Sequence, residues 1–339
     1  MRTPHFLFIA SAILVACSDE ATAPKTQREV NALVLPGPLR LGFYVVATLP
    51  IPVGYTQAEP FAINDSAVIV GTAYTADSVP RPARWTNGTV QLLALPRGFN
   101  AGYAQDINGA GLAVGAARLD TTWFPVTYGP AGATTLNTTG YVGGWAHGIN
   151  DAGEIVGHVV TASSAPHPAR WSATGVLTVH TATTGWMRAI NASGDAAGMR
   201  RVGTIDQPSV WKADGTMLSL PAPSVAGGVA QDLANDGTAV ILGGNHAGWS
   251  AAPYGAFTAT WLGSVFEISN KGRMVGRQQG VAPVTMLTSA AAPTPLPLNN
   301  GATLGVAYAV NTCGTVVGFT ANAAGVRQPV RWSRQFCDP

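Results

Sequence analysis

One hairpin motif recurs seven times along the chain, and its spacing limits what the chain can fold into. The clearest copy runs from Ala146 to Gly157 and reads Ala-His-Gly-Ile-Asn-Asp-Ala-Gly-Glu-Ile-Val-Gly. The turn-glycine column falls at positions 67 (an Ala), 111, 153, 194, 237, 272 and 314, so successive copies lie 44, 42, 41, 43, 35 and 42 residues apart. In the fifth copy, Leu233-Ala234-Asn235-Asp236-Gly237, the Asn is displaced by one place. A period near 40 suits one small antiparallel sheet per repeat. Asn and Asp bond their own backbone and Gly takes the positive φ that closes the turn, so each copy reads as a hairpin.

A second signature follows five of the seven hairpins: Pro82-Ala83-Arg84-Trp85, Pro168-Ala169-Arg170-Trp171, Pro208-Ser209-Val210-Trp211, Ala259-Thr260-Trp261 and Pro329-Val330-Arg331-Trp332. A turn such as Asn87-Gly88 or Asp214-Gly215 comes next, and then a short apolar run. Each unit therefore supplies four strands, a to d, and the Trp residues of strand c recur with the period as core residues. With Gly 40 and Pro 24 in the chain, helix propensity is low throughout. Hydrophobic residues make up 47%, which excludes disorder by composition. Runs such as Val68 to Val70, the Ile155-Val156 end of Glu154 to Val156, and Val316 to Val317 are apolar on consecutive positions, as in strands covered on both faces.

The ends close the count. The seventh unit stops after strand c at Trp332, while an orphan strand, Leu41 to Thr48, precedes the first unit. The expectation is an all-β, seven-bladed β-propeller of four-stranded antiparallel blades, closed by this N-terminal strand completing the last blade.

Residues 1–16 read as a signal peptide, with Arg2 ahead of an apolar run too short to span a bilayer. Leu14-Val15-Ala16-Cys17 resembles the bacterial lipobox, which implies lipid on Cys17 and stable anchoring through several acyl chains. Residues 17–40 then form the lipidated Cys and a tether, and 41–339 the propeller. Ser18-Asp19-Glu20 resembles surface-export signals, so the expected place is the bacterial cell envelope, at the outer membrane or cell surface. Cys313 and Cys337 fall on one face of the ring, where an oxidising compartment would join them in a disulfide; two free thiols are the alternative.

The Ile-Asn-x-x-Gly-x-x-Val-Gly hairpin followed by a Trp-bearing strand resembles the HAF-type extracellular repeats of bacterial secreted proteins, over roughly Leu41 to Trp332. The naming His-Ala-Phe triplet is replaced here by Pro-Ala-Arg or similar. The resemblance implies a surface or periplasmic repeat protein and brings no catalytic residues.

No nucleophile elbow, phosphate loop or dinucleotide fingerprint is present. A net charge of +2 without a Lys/Arg cluster argues against nucleic acid. The Asn-Asp-x-Gly turns carry too few carboxylates for a calcium loop. His147, His158 and His167 with Asp151 and Glu154 could mimic a metal or acid–base site, but the expectation is that loops scatter them over both ends of the blade. Catalytic residues, metal and cofactor are all read as none, and the chain as a monomer.

A better ligand site is a column ahead of the hairpins. Four places before the branched residue stand Tyr103, Trp145 and Trp186, and two places before it Gln105, His147, Arg188 and Gln231. Rings beside hydrogen-bonding groups at a concave mouth suit a glycan or peptide ligand; the alternative is that the aromatics wedge between blades. The expected function is a lipid-anchored binding or scaffold module, with a glycan-active hydrolase or lyase as the alternative. Enzymatic propellers need convergent carboxylates, and this chain has only 17 acids.

Overall fold

The structure is a computed structural model that describes residues 44–244, 246–278, 282–290 and 292–334. Every regular element among them is a β-strand. In order a to d, blade one is Gln57–Ile63, Ile69–Tyr74, Pro80–Thr86 and Thr89–Leu92; blade two is Ala101–Ile107, Ala113–Leu119, Thr122–Gly129 and Gly132–Thr135. Blade three is Gly143–Ile149, Ile155–Val160, Pro166–Trp171 and Leu177–Val179; blade four is Gly185–Ile190, Ala196–Val202, Ile205–Trp211 and Met217–Ser219. Blade five is Val229–Leu233, Ala239–Gly243, His246–Ser250 and the first part of Thr258–Ile268. The rest of that long strand opens blade six, which continues with Arg273–Gln278, Pro283–Leu287 and Thr294–Pro295. Blade seven is Ala302–Val310, Val316–Asn322 and Arg327–Arg334, with Tyr44–Thr48 as its fourth strand.

The expected seven-bladed β-propeller is therefore present. Tyr44–Thr48 pairs antiparallel with Arg327–Arg334, placing Val46 opposite Trp332 and Ala47 opposite Arg331. The first described strand thus covers the last strand's open edge, which would otherwise present unpaired backbone groups.

The core lies between blades. Ala62 and Val70 of blade one pack with Ala104, Ile107, Val126 and Tyr128 of blade two. Strand b is therefore covered on both sides, which is why Ile69 with Val70, and Val316 with Val317, are all buried. Each such Val or Ile contributes roughly 1.5–3 kcal/mol. The strand-c residues Trp85, Trp171, Trp211 and Trp332 are at most 1% exposed. Three of them also tie down the loop that leaves strand d of the preceding blade: Trp85 donates to the Pro50 carbonyl, Trp171 to Asn137 and Trp332 to Pro297, each at 2.7 Å.

Blade five departs from the expectation. Its strand c is His246–Ser250, and Ala259-Thr260-Trp261 lies in the long strand shared by blades five and six. The unit is only 35 residues long, and it saves length by running its strand d directly into the next strand a. Ser250, opposite Ala239, holds the register position that Trp211 holds opposite Ala196 in blade four.

The recurring Asn has two jobs. Its Oδ1 accepts from a backbone N–H four residues on and closes its own turn: Val68 to Asn64, Leu112 to Asn108, Glu154 to Asn150, Asp195 to Asn191 and Thr315 to Asn311, at 2.9–3.0 Å. Its Nδ2 reaches the next blade's turn carbonyl: Asn64 to Asn108 (3.0 Å), Asn108 to Asn150 (3.3 Å), Asn150 to Asn191 (3.1 Å), Asn191 to Ala234 (3.3 Å) and Asn311 back to Asn64 (3.2 Å). A carboxamide suits both jobs because its oxygen accepts while its nitrogen donates in another direction. The displaced Asn235 has changed task, its Oδ1 accepting from Ala192 N–H of the preceding blade at 2.9 Å.

Candidate functional site

Each strand a contains a β-bulge at the same place. The register breaks between Pro60 and Ala62, Ala104 and Asp106, Ala146 and Gly148, Met187 and Ala189, Ala230 and Asp232, Val265 and Glu267, and Ala307 and Ala309. A bulge inserts one unpaired residue and re-aims its side chain. The seven bulged residues are Gln105, His147, Arg188 and Gln231 in blades two to five, and Phe266, Tyr308 and Phe61 in blades six, seven and one. All seven line one cavity of about 440 Å3 at the end of the ring that carries the a–b turns. The motif's final Gly serves this geometry: a Cβ at Gly157 would collide with the Trp145 carbonyl oxygen two residues before the bulge, and the same holds at Gly115 against Tyr103.

The ring has two unlike halves. On the aromatic side, Tyr308 lies 5.4 Å from Phe61 and 5.3 Å from Phe266 between ring centroids. On the polar side, His147 Nε2 lies 3.1 Å from His158 Nδ1. Burial drives His147 well below the ordinary imidazole range, helped by His158 and Arg188, and burial brings His158 down to about 4. Both are therefore neutral near pH 7. Among the described residues, Gln105, Arg188 and Gln231 have no hydrogen-bond partner for their side chains.

Three carboxylates stand one place after the ring: Asp106, Asp232 and Glu267, all lining the cavity. Asp106 accepts from Ile107 N–H of its own strand (2.7 Å) and from Ile149 N–H of the next blade (2.8 Å). Asp232 accepts from Leu233 and, across the seam, from Ile268, both at 2.8 Å. Glu267 Oε1 accepts from Val310 of blade seven at 3.0 Å. Two of these acids bridge the five–six and six–seven seams, where Ala234 and Ser269 stand in place of Asn. Burial pushes Asp106 up to about 7 against the pull of its two N–H donors. Burial likewise takes Asp232 to about 6, with the Ile268 and Leu233 N–H groups and Arg188 opposing it. Glu267 is raised well above the usual range by burial and by the Asp232 charge.

The structure divides the predicted ligand residues. Gln105, His147 and Arg188, with Gln231, do come together at the cavity. Tyr103, Trp145 and Trp186 do not line it. Tyr103 and Trp145 pack on each other at 5.3 Å, and on Trp123 at 5.3 and 5.1 Å, as a wedge between blades two and three. Arg118 lies 5.6 Å over Trp123. Trp186 is half-buried opposite Met199. The reason for the separation is the bulge, which turns the alternation of the strand between the two columns. Trp145 still stacks on His147 at 6.1 Å.

The histidines also differ from expectation. His147 and His158 meet on paired strands, whereas His167 bonds the Thr183 carbonyl at 2.9 Å elsewhere. Glu154 is engaged by Asn150 and Arg170. Among the described residues, no group of three His, Cys, Asp or Glu is placed to hold a metal ion. Cys313 is disulfide-bonded; Cys337 and Cys17 lie outside the described residues. Sequence reasoning missed Phe61, Phe266 and Tyr308, and the acids Asp106, Asp232 and Glu267. All six sit one or two places before the branched residue of the motif, which is the signal that could have found them.

No protein-family model matches the chain, and no curated protein does. Similarity appears among solved structures. A catalytically inactive virginiamycin B lyase from Staphylococcus aureus with quinupristin superposes with a TM-score of 0.60 at 12% identity, over 86% of this chain and 99% of that one. YCF48 bound to D1 peptide gives 0.55 at 11% identity, over 89% and 99%. Oligogalacturonate lyase in complex with manganese gives 0.55 at 10%, over 86% and 96%. At such identities the likeness establishes the propeller fold and nothing finer.

Proposed function

We propose that this protein is a binding propeller that receives its ligand in the cavity at the a–b turn end of the channel, and that lipid on Cys17 holds it in the bacterial cell envelope. The observation that carries the binding reading is the bulge repeated in all seven blades. It aims seven side chains at one cavity, and three of the polar ones have no described partner. A fold that needed these residues only for packing has no use for aiming three polar side chains without described partners into one cavity. The membrane part rests on Leu14-Val15-Ala16-Cys17 alone.

The rival is catalysis on a glycan, favoured by three recessed acids with raised pKa values. Asp106 and Asp232 each have both oxygens committed to backbone N–H groups, two of them across a seam. That is the work of a latch: these two acids hold neighbouring turns in place, whereas a general acid with a separate base or nucleophile needs two carboxyls free to exchange protons with a substrate. The similar rings include lyases and a peptide-bound protein, so the fold itself favours neither.

Glycan, peptide and metabolite arrays on the purified chain test this. Retention without turnover supports binding, product release supports the enzyme, and silence across all three overturns the cavity as a site. Cys17→Ser is expected to abolish incorporation of labelled fatty acid and release the protein from the membrane fraction; unchanged labelling overturns the anchor.

A further inference from the structure

We infer that the polar half of the ring is a carboxylate receptor anchored by Arg188, and that its ligand is an organic monoanion whose apolar body rests against Phe61, Phe266 and Tyr308. This deepens the binding reading and rests on it. Arg188 is the bulged residue of blade four and lines the cavity between His147 and Gln231 in ring order. A guanidinium carries five N–H donors in a fixed fork, and none of those of Arg188 meets an acceptor among the described residues. The described ion pairs, Arg170–Glu154, Arg201–Asp206, Lys212–Asp195 and Arg327–Glu59, leave it out. Asp232 lies within electrostatic reach, but no hydrogen bond joins it to Arg188 among the described residues; its two oxygens accept from the Leu233 and Ile268 N–H groups.

A recessed guanidinium with nothing to hold is costly unless a ligand or water supplies acceptors. The planar fork matches a carboxylate with two parallel hydrogen bonds. The side-chain amides of Gln105 and Gln231, also without described partners, add neutral donors from the same wall. Asp106, Asp232 and Glu267 line the same cavity. A doubly charged phosphate would meet three acids there, so a single charge is the better fit. The aromatic wall then supplies apolar contact for the group next to the carboxylate.

Such a carboxylate occurs on a free small acid or at a peptide's carboxy terminus, and calorimetric titration separates the two. The probes are N-acetylphenylalanine, its carboxamide, a short peptide ending in phenylalanine, the same peptide amidated, and inorganic phosphate. The acids are expected to bind at least about tenfold more tightly than their amides, and phosphate more weakly than either acid. If only the free acid binds, the source is a small molecule; if the peptide binds as well or better, it is a chain end. Arg188→Gln is expected to remove that tenfold preference, so that acid and amide bind alike, and Arg188→Lys to restore part of it. Equal affinity for acid and amide in the unaltered chain overturns the inference, as does an unchanged preference in Arg188→Gln. The acid–amide comparison needs no variant, so it stands even if Arg188→Gln fails to fold. Binding of other array ligands with indifference to charge would sink the carboxylate and spare the binding reading, whereas no binding of any kind would sink both.

Discussion

Ala67 shows how much a single turn position demands. Six of the seven a–b turns place Gly there with a positive φ, from 74° at Gly272 to 85° at Gly237, while Ala67 is held at φ 58°. A Cβ in this left-handed region costs about 1–2 kcal/mol, part of which the stiffer unfolded chain returns. Ala67→Gly is therefore expected to raise stability by roughly 0.5–1 kcal/mol, read as a higher urea midpoint with an unchanged slope. The same scale explains what could be read without coordinates. Turn chemistry is local, so Asn, Gly and their spacing announced seven hairpins. A bulge is not local in that sense: one unpaired residue exchanges the inward and outward faces of a strand. Counting alternate positions therefore placed Trp145 and Trp186 beside the cavity, whereas Phe61, Phe266 and Tyr308 were passed over because the column two places before the branched residue was followed only through blades two to five.

At the scale of strands and blades, the Asn side chain is a clasp between neighbours. Asn64→Asp keeps the acceptor for Val68 N–H but sets a carboxylate oxygen against the Asn108 carbonyl, where the amide now donates at 3.0 Å. With Asn64 only 6% exposed, the expected loss is about 1–3 kcal/mol, measured by chemical unfolding. An unchanged midpoint would mean that hydrophobic seams alone hold the blades. Blade five was misread for a related reason. Its strand c has Ser250 at the register position where blades one, three, four and seven carry a buried Trp, and the nearest Trp of the pattern, Trp261, belongs to the strand that continues into blade six. The acids were missed because they were counted over the whole chain; three acids at one register position matter more than 17 spread along it.

For the molecule as a whole, the seam carboxylates and the histidine pair give opposite pH dependences. Asp106 at about 7 and Asp232 at about 6 bind protons more tightly folded than unfolded, as does Glu267. Their contribution is complete below the ordinary carboxylate range and is lost as pH rises through 6 to 7. His147 and His158 are lowered, so the folded state loses stability as pH falls below about 6.5. Between about pH 7.5 and 8.5 the histidines are close to neutral in both states, which isolates the acids. The melting temperature is expected to fall across that interval, and Asp106→Asn to flatten the fall whatever it does to absolute stability. A slope indifferent to Asp106→Asn would show that this carboxyl is ionised throughout.

The pairing of Tyr44–Thr48 with Arg327–Arg334 sets an order of events for biosynthesis. A ribosome makes the first of these segments hundreds of residues before its mate, so no amount of early folding can finish the circle. Until the final blade emerges, the unfinished arc must keep an open flank, and a truncation just ahead of Arg327 would leave it open for good.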